Sequence, residues 1–356
     1  VWRRCFAFHF FVFITFWFVL IVAIEIVIFV WISKEDNVSR AVVVQAFKIC
    51  FSGFLIGFLL YRIGIQSTLE QLLMANVYGL VGALVLFTAS HLLGSYGWWL
   101  LLRGEDMDIP WKKAVSFYFI GLFFNNFFIS SFGGDVFRMV DVRRYSKNGT
   151  GAVSTVFLDR FVGLFTMSGL AAMAAIGFFI KGTIHPNLRW PLSLLAIFWI
   201  FVIFFLFNKR FARPFAWIIR KIVPESIGAK TKEVYRKIHD FGHRKNLLTR
   251  VVGISLIVQS ARIMTHYLLA RSLGVGISAF YFFFIIPIVA IMASLPISIG
   301  GIGLREQTGV FLFGSVGVAA LPAFSMGFLS YVIAIASSLP GGLFFAGRKN
   351  IGSKDT

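Results

Sequence analysis

The chain has 356 residues, 58% of them hydrophobic and only 14% charged, against roughly 25% charged in a soluble globular domain. Those numbers exclude a water-soluble enzyme. The net charge of +19 is an excess that a membrane protein collects in the connections it keeps on the cytoplasmic side.

Taken in chain order, Arg3 and Arg4 precede an apolar run, Cys5–Ile32, that is longer than a signal-peptide core and lacks a small-residue cleavage site, so it reads as a transmembrane helix. Residues 1–40 form an N-terminal span and connection that reads as an extension, since the first methionine is Met74. A transmembrane domain over 41–346 and a short tail at 347–356 follow. Within that domain, uncharged runs at Leu72–Leu102 (31 residues), Ala114–Gly134 (21) and Trp190–Asn208 (19) reach or exceed the roughly 20 residues a helix needs to cross a bilayer core. Phe161–Ile180 adds another span, and a further one starts at Val251. Ser272–Leu304 and Gln307–Gly347 would be roughly 50 and 60 Å long as continuous helices, too long for single spans. Pro287, Pro296, Gly300, Gly301 and Gly303 break the first, and Gly314, Gly317 and Pro322 break the second. The fold class expected is all-α, a polytopic integral membrane helical bundle of about eight spans with one or two re-entrant or broken helices at Gly-Gly motifs.

Sidedness follows from the basic residues. Lys209–Arg250 holds twelve Lys and Arg against three acidic residues and is expected in the cytoplasm, together with the N-terminus. Walking back one crossing at a time puts Arg138–Lys147 and Arg62–Gln71 on that same side and Arg103–Lys113 on the opposite one. Within the basic loop, Phe211, Phe215, Trp217, Ile218 and Ile222 interleave with Arg213, Arg220 and Lys221, a pattern suited to anionic lipid headgroups. Nucleic acid is not an expected partner. His239 and His243 share a helix face but have no acidic or Cys companion, so no metal site is expected. Cys5 and Cys50 suggest no disulfide framework.

Charges at membrane depth are costly unless paired or wet, and mark candidate sites. Asp135, Asp159, Glu306 and Glu25 face Arg138, Arg160, Arg262 and Arg305, four against four. Two clusters share a pattern, Ser131-Phe-Gly-Gly-Asp135-Val-Phe-Arg138 and Ser298-Ile-Gly-Gly-Ile-Gly-Leu-Arg305-Glu306. Gly133, Gly134 and Arg138 align with Gly300, Gly301 and Arg305 at one offset of 167 residues. This resembles an internal duplication, and broken helices at corresponding positions of two halves point to a transporter's binding site. Whether the halves run parallel or inverted stays open in the sequence. Paired glycines can turn backbone N–H groups toward a cavity at a helix N-terminus, where an Arg completes a phosphate site. The alternative is that the glycines only permit close packing and each Arg reaches the interface. Asn125 and Asn126 are candidate cavity lining, Gly303 belongs to the second helix break, and Arg262 requires a carboxylate or a lipid headgroup. His266, one turn after Arg262, and His91 are candidates for proton transfer.

Three blocks, Gly133–Arg138, Ala152–Leu164 and Leu295–Glu306, resemble in order and spacing the flippase-like transmembrane region of lysylphosphatidylglycerol synthases and its stand-alone relatives, over about residues 45–346. The chain departs from that pattern by having no proline just before Gly133 and by carrying Asp159-Arg160 where Glu-Arg is common. The resemblance implies translocation of a phospholipid or lipid-linked substrate between leaflets of the cytoplasmic membrane, with a lipid-modifying synthase as a possible partner. In the full-length synthases an aminoacyl-transfer domain follows the membrane part. Here the chain ends ten residues after Ala346, so aminoacyl transfer is not expected of it.

The function expected is therefore a lipid transporter rather than an enzyme. Arg138, Arg160 and Arg305 would bind phosphate, neutralised when empty by Asp135, Asp159 and Glu306. No cofactor is expected, and no Walker-type loop for ATP is present. The rivals are a membrane-embedded enzyme acting on a phospholipid or polyprenyl-phosphate lipid, with His91 or His266 as base, and an accessory subunit of a synthase.

Overall fold

A computed structural model describes Phe54 and residues 57–127, 133–180, 193, 197, 244–294, 298 and 301–348. The expected first span, Glu25, the span ending at Asn208, the loop up to His243, Pro296, Gly300 and the last eight residues lie outside the described residues. The described chain is helical throughout, with no strand among the described residues. In chain order the helices are α1 (Ile65–Leu73), α2 (Val77–Gly104), α3 (Trp111–Phe127), α4 (Gly133–Ser146), α5 (Gly149–Ile180), α6 (Lys245–Ser272), α7 (Ala279–Ala293), α8 (Leu304–Gly314) and α9 (Ala320–Ala346). Four of them, α2, α5, α6 and α9, are long and apolar enough to cross a membrane.

Local chemistry sets the helix ends. The Asn76 side chain opens α2 by accepting from Gly79 N at 3.2 Å, and Ser278 opens α7 by accepting from Phe280 N at 3.3 Å, each satisfying a donor the first turn leaves unpaired. Gly274 and Gly317 sit at φ +79° and +88° just beyond α6 and α8, in the left-handed region that glycine adopts without a Cβ clash.

Lengths repeat along the chain. Helices α2 to α5 have 28, 17, 14 and 32 residues, and α6 to α9 have 28, 15, 11 and 27. Each set is a long helix, two short ones and another long one. The packing repeats too. Exchanging α2 with α6, α3 with α7, α4 with α8 and α5 with α9 turns every principal packed pair among these eight into another packed pair. For example, α3 on α9 becomes α7 on α5, and α2 on α9 becomes α6 on α5. The largest contact, α2 on α6, maps onto itself.

That self-mapped pair fixes the relation between the halves. Asn76 N donates to Ser272 O at 2.9 Å, and a Cβ on Gly94 or Gly97 would touch Val258 or Ile254. Arg244 bonds the Gly104 carbonyl at the far end of the pair. The two helices are antiparallel, so the operator that exchanges them reverses direction, and its axis lies across the helices rather than along them. The halves are inverted, a question their sequence left open.

The short helices are hairpins rather than spans. A 17-residue α3 rises about 25 Å, and α4 returns beside it, so that Ser146 Oγ lies 3.3 Å from Met107 Sδ at the start of the hairpin. Close backbone approach makes this possible, because a Cβ on Gly134 would overlap the Gly121 carbonyl. In the second half α7 and α8 return likewise, with the Phe282 and Phe313 rings 5.1 Å apart. The expectation that Arg103–Lys113 and Arg138–Lys147 lie on opposite sides is thereby corrected. The sequence count took 114–134 as a crossing, but α4 returns beside α3. Arg62–Gln71 is corrected with it, since Gln71 Nε2 bonds Leu273 O at 3.4 Å, at the end of the bundle away from Gly104. The connections at 105–110 and 147–148, the start of α6 and the end of α9 thus share one end of the bundle.

Two buried clusters fill the interior. One joins Trp98, Leu101, Leu102, Ile109 and Val142 with the first turns of α5. The other joins the last part of α5 with Ile263, Leu269, Phe282, Phe284 and Phe313. A bilayer-facing protein hides only its helix-helix contacts, and large apolar side chains such as Val85, Met173, Ile176 and Phe311 point outward.

Candidate functional site

The first charged cluster forms where α2, α3, α4 and α5 meet. Asp135 and Arg138 lie one turn apart on α4, and both are buried, as is the Arg138 guanidinium's surrounding wall of Trp98 and Tyr118. Arg160 grips Asp135 with two bonds, Nε to Oδ2 at 2.8 Å and Nη2 to Oδ1 at 3.0 Å. Arg138 donates Nη2 to Asp159 Oδ2 at 2.9 Å and approaches Asp135 Oδ1 at 3.4 Å. Two acids and two arginines alternate in one neutral chain, Arg160–Asp135–Arg138–Asp159, that ties α4 to α5. The Arg138 carbon lies 4.1 Å from the Trp98 ring centre and 4.5 Å from that of Tyr118, a cation-aromatic arrangement that offsets part of the desolvation of the guanidinium. Its Nε has no hydrogen-bond partner. The Arg160 side chain is 50% exposed, so this end of the network reaches the protein surface.

The second cluster sits on α8. Arg305 donates Nε at 3.0 Å and Nη2 at 2.5 Å to Glu306 Oε1, and the other Glu306 oxygen accepts from Gly303 N at 2.7 Å. Glu306 therefore both neutralises Arg305 and caps the helix that carries it. The Arg305 carbon lies 5.1 Å from the Tyr331 ring centre. Under the exchange of halves Arg138 corresponds to Arg305, and Trp98 to His266. The second half keeps the arginine, but the long helix that follows it, α9, carries no acid-base pair like Asp159 and Arg160.

The glycines serve packing and helix breaks. Gly134 N donates to Asn125 Oδ1 at 2.8 Å, and Gly303 N is held by Glu306, so neither amide is turned toward an open space as the anion-capture expectation required. Gly133 starts α4 beside Gly134. Gly301 and Gly303 adopt φ +78° and +83°, where any other residue is strained. Asn125 is thus a cap for α4, and Asn126 donates Nδ2 to Ala334 O at 3.1 Å, fastening the hairpin to α9. Both amides expected to line a cavity satisfy backbone instead. Gly300 lies outside the described residues.

Arg262 stands on α6 beside the first cluster, next to Tyr118. Its Nη2 lies 3.4 Å from His91 Nδ1 and 3.5 Å from Tyr118 Oη, both long contacts to neutral groups, and its Nε is buried without a partner. His266 Nδ1 bonds the Arg262 carbonyl at 3.0 Å. Among the described residues no carboxylate pairs with Arg262.

The aromatic walls, Trp98, Tyr118 and Tyr331, escaped the sequence reading. In a chain with 44 Phe, nine Trp and nine Tyr, nothing local separates these three from core or lipid-facing rings. The ion pair of Asp141 with Arg348, which joins α4 to the end of α9, escaped it as well.

Against known proteins, a family model described as the lysylphosphatidylglycerol synthase TM region matches residues 45–342. A UPF0104 membrane protein of Pyrococcus horikoshii is 26% identical over 321 residues, which cover 82% of this chain and 93% of that protein.

Proposed function

This chain belongs to the family of lysylphosphatidylglycerol synthase transmembrane regions, and from that premise we propose that it translocates a phospholipid or lipid-linked substrate across the membrane, recognising phosphate through its buried arginines. The observation that carries this reading is the inverted pair of hairpins. Each enters from an opposite end of the bundle and brings one arginine, Arg138 or Arg305, to the start of a broken helix at membrane depth. Inverted repeats with broken helices suit a carrier that opens alternately to two faces.

The arginines suit the task chemically. A guanidinium bonds two phosphate oxygens at once and is weakly hydrated, so it gives up water at low cost. In the empty protein each is held by a carboxylate, which keeps the charge paired while no substrate is bound. A headgroup phosphate displaces the acid from one fork at a time, and the charge stays balanced in both states. Since Gly134 and Gly303 amides are engaged within the protein, the arginine side chains supply the donors.

Basic residues crowd one end of the bundle, with Arg103, Lys112, Lys113, Arg143, Arg144, Lys147, Arg244, Lys245 and Arg348 there. By the positive-inside rule that end faces the cytoplasm, and hairpin α3–α4 enters from it.

The test is reconstitution. Purified protein in phosphatidylcholine vesicles is expected to shorten the time for which labelled phosphatidylglycerol in the inner leaflet is protected from an impermeant quencher. Arg305→Gln is expected to restore protection to that of empty vesicles while inserting normally. Equal movement by the variant would sink the role given to the second motif. A chemically altered lipid in the same vesicles would turn the assignment to a membrane-embedded enzyme.

A further inference from the structure

We propose that Arg262, with His91 and Tyr118, forms a central anion subsite for one monoanionic phosphodiester group, a resting place between the two motif arginines; this rests on the translocation reading above. Charge counting is the first ground. At membrane depth the described residues present Arg138, Arg160, Arg262 and Arg305 against Asp135, Asp159 and Glu306. All three carboxylates are engaged, Asp135 by Arg160 and Arg138, Asp159 by Arg138, and Glu306 by Arg305. The unmatched charge is that of Arg262.

Its contacts are the second ground. A guanidinium in a low-dielectric bundle is stable only with anionic or strongly dipolar partners. Arg262 has two long bonds to neutral side chains and a buried Nε with none. One negative charge with two or more acceptor oxygens satisfies it, and a phosphodiester supplies that with no excess. A phosphomonoester dianion would leave the site overcharged by one.

Position is the third ground. Tyr118 lies under the Arg138 guanidinium and also reaches Arg262. Arg262 therefore adjoins the first cluster through Tyr118. It also lies close to where the pseudo-two-fold axis passes between α2 and α6, near His91 and Gln259, which correspond to each other. A group handed from one half to the other passes this point.

The experiment uses the full chain in detergent with two probes, dihexanoyl phosphatidylglycerol and inorganic phosphate, titrated calorimetrically, and the vesicle assay alongside. Arg262→Gln is expected to weaken binding of the short-chain lipid about tenfold or more, and Arg262→Lys by only about threefold. His91→Glu puts a carboxylate beside Arg262 from within. It is expected to keep or raise the thermal midpoint and to bind neither probe, an outcome that a merely structural Arg262 would not produce. Lipid binding that excess phosphate does not displace identifies a lipid headgroup as the ligand, and displacement identifies a free anion, with the subsite standing in both. Wild-type affinity in both Arg262→Gln and His91→Glu overturns it. If the wild type binds the short-chain lipid yet moves no labelled lipid in vesicles, the translocation reading fails and the subsite remains.

Discussion

Asp135 is the most connected charge among the described residues, taking two bonds from Arg160 and an approach from Arg138 while 2% exposed. Removing its charge leaves two arginines competing for Asp159. Asp135→Asn is therefore expected to cost about 3–5 kcal/mol, read as a lowered thermal midpoint in detergent. Asp159→Asn, which breaks one bond at a partly exposed carboxylate, should cost less. Comparable losses from the two would mean that the network is not organised around Asp135. The charges themselves were plain in the sequence, because a carboxylate or guanidinium inside an apolar run stands out against its neighbours. Their pairing was not. Asp135 bonds Arg160, 25 positions away, more tightly than Arg138 three positions away, and only the packing of α4 on α5 decides that. The role of Asn125 was hidden for a related reason, since an amide that caps a helix nine residues on looks the same in sequence as one facing a cavity.

Among the elements, hairpin α3–α4 depends on backbone contacts that sequence hydropathy cannot register. A 21-residue uncharged run reads as a span, and the turn within it is set by Gly121 and Gly134 touching rather than by any polar break. Gly134→Ala drives a methyl group into the Gly121 carbonyl and is expected to abolish the monodisperse peak in size-exclusion chromatography, whereas Gly169→Ala, with open space around it, should leave it unchanged. The hairpin is further held to α9. Arg348 bonds Asp141, and Phe345 packs edge-on against Phe124 and Phe137, which stack at 3.9 Å. The second hairpin has Thr308 where the first has Asp141, and Thr308 bonds its own helix at Leu304 O. Arg348→Ala is expected to loosen the first hairpin alone, measured as faster thiol labelling at Phe137→Cys than at a cysteine placed on α8. Equal acceleration at both positions would show that the ion pair does not act locally.

For the whole molecule, the inverted arrangement makes a sidedness prediction that differs from a simple count of crossings. In a variant with Cys5 and Cys50 replaced by Ser, single cysteines at Lys113 and Lys147 should react with an impermeant reagent from one face of sealed vesicles. Cysteines at Gly274 and Gly317 should react only from the other. Labelling of positions 113 and 147 from opposite faces would restore α3 as a span and remove the inversion. The sequence carried the duplication in three glycine and arginine positions at one offset, together with its all-helical class. It could not carry the inversion, because direction depends on whether two long helices lie parallel or antiparallel, and their hydropathy is the same either way.

The unmatched charge on α6 bears on membrane voltage. A unit charge moved across the full bilayer at 100 mV changes in energy by about 2.3 kcal/mol, and Arg262 sits roughly 26 Å along a helix of about 42 Å, well inside the field. With a monoanion seated beside it the region is neutral, so a loaded protein cycling between faces feels little of the potential, while an empty one moves a positive charge. One-for-one exchange of labelled lipid between leaflets should then be indifferent to an imposed potassium diffusion potential. Net one-way movement, which requires the empty protein to return, should speed up or slow down with its sign, and Arg262→Lys should retain that response.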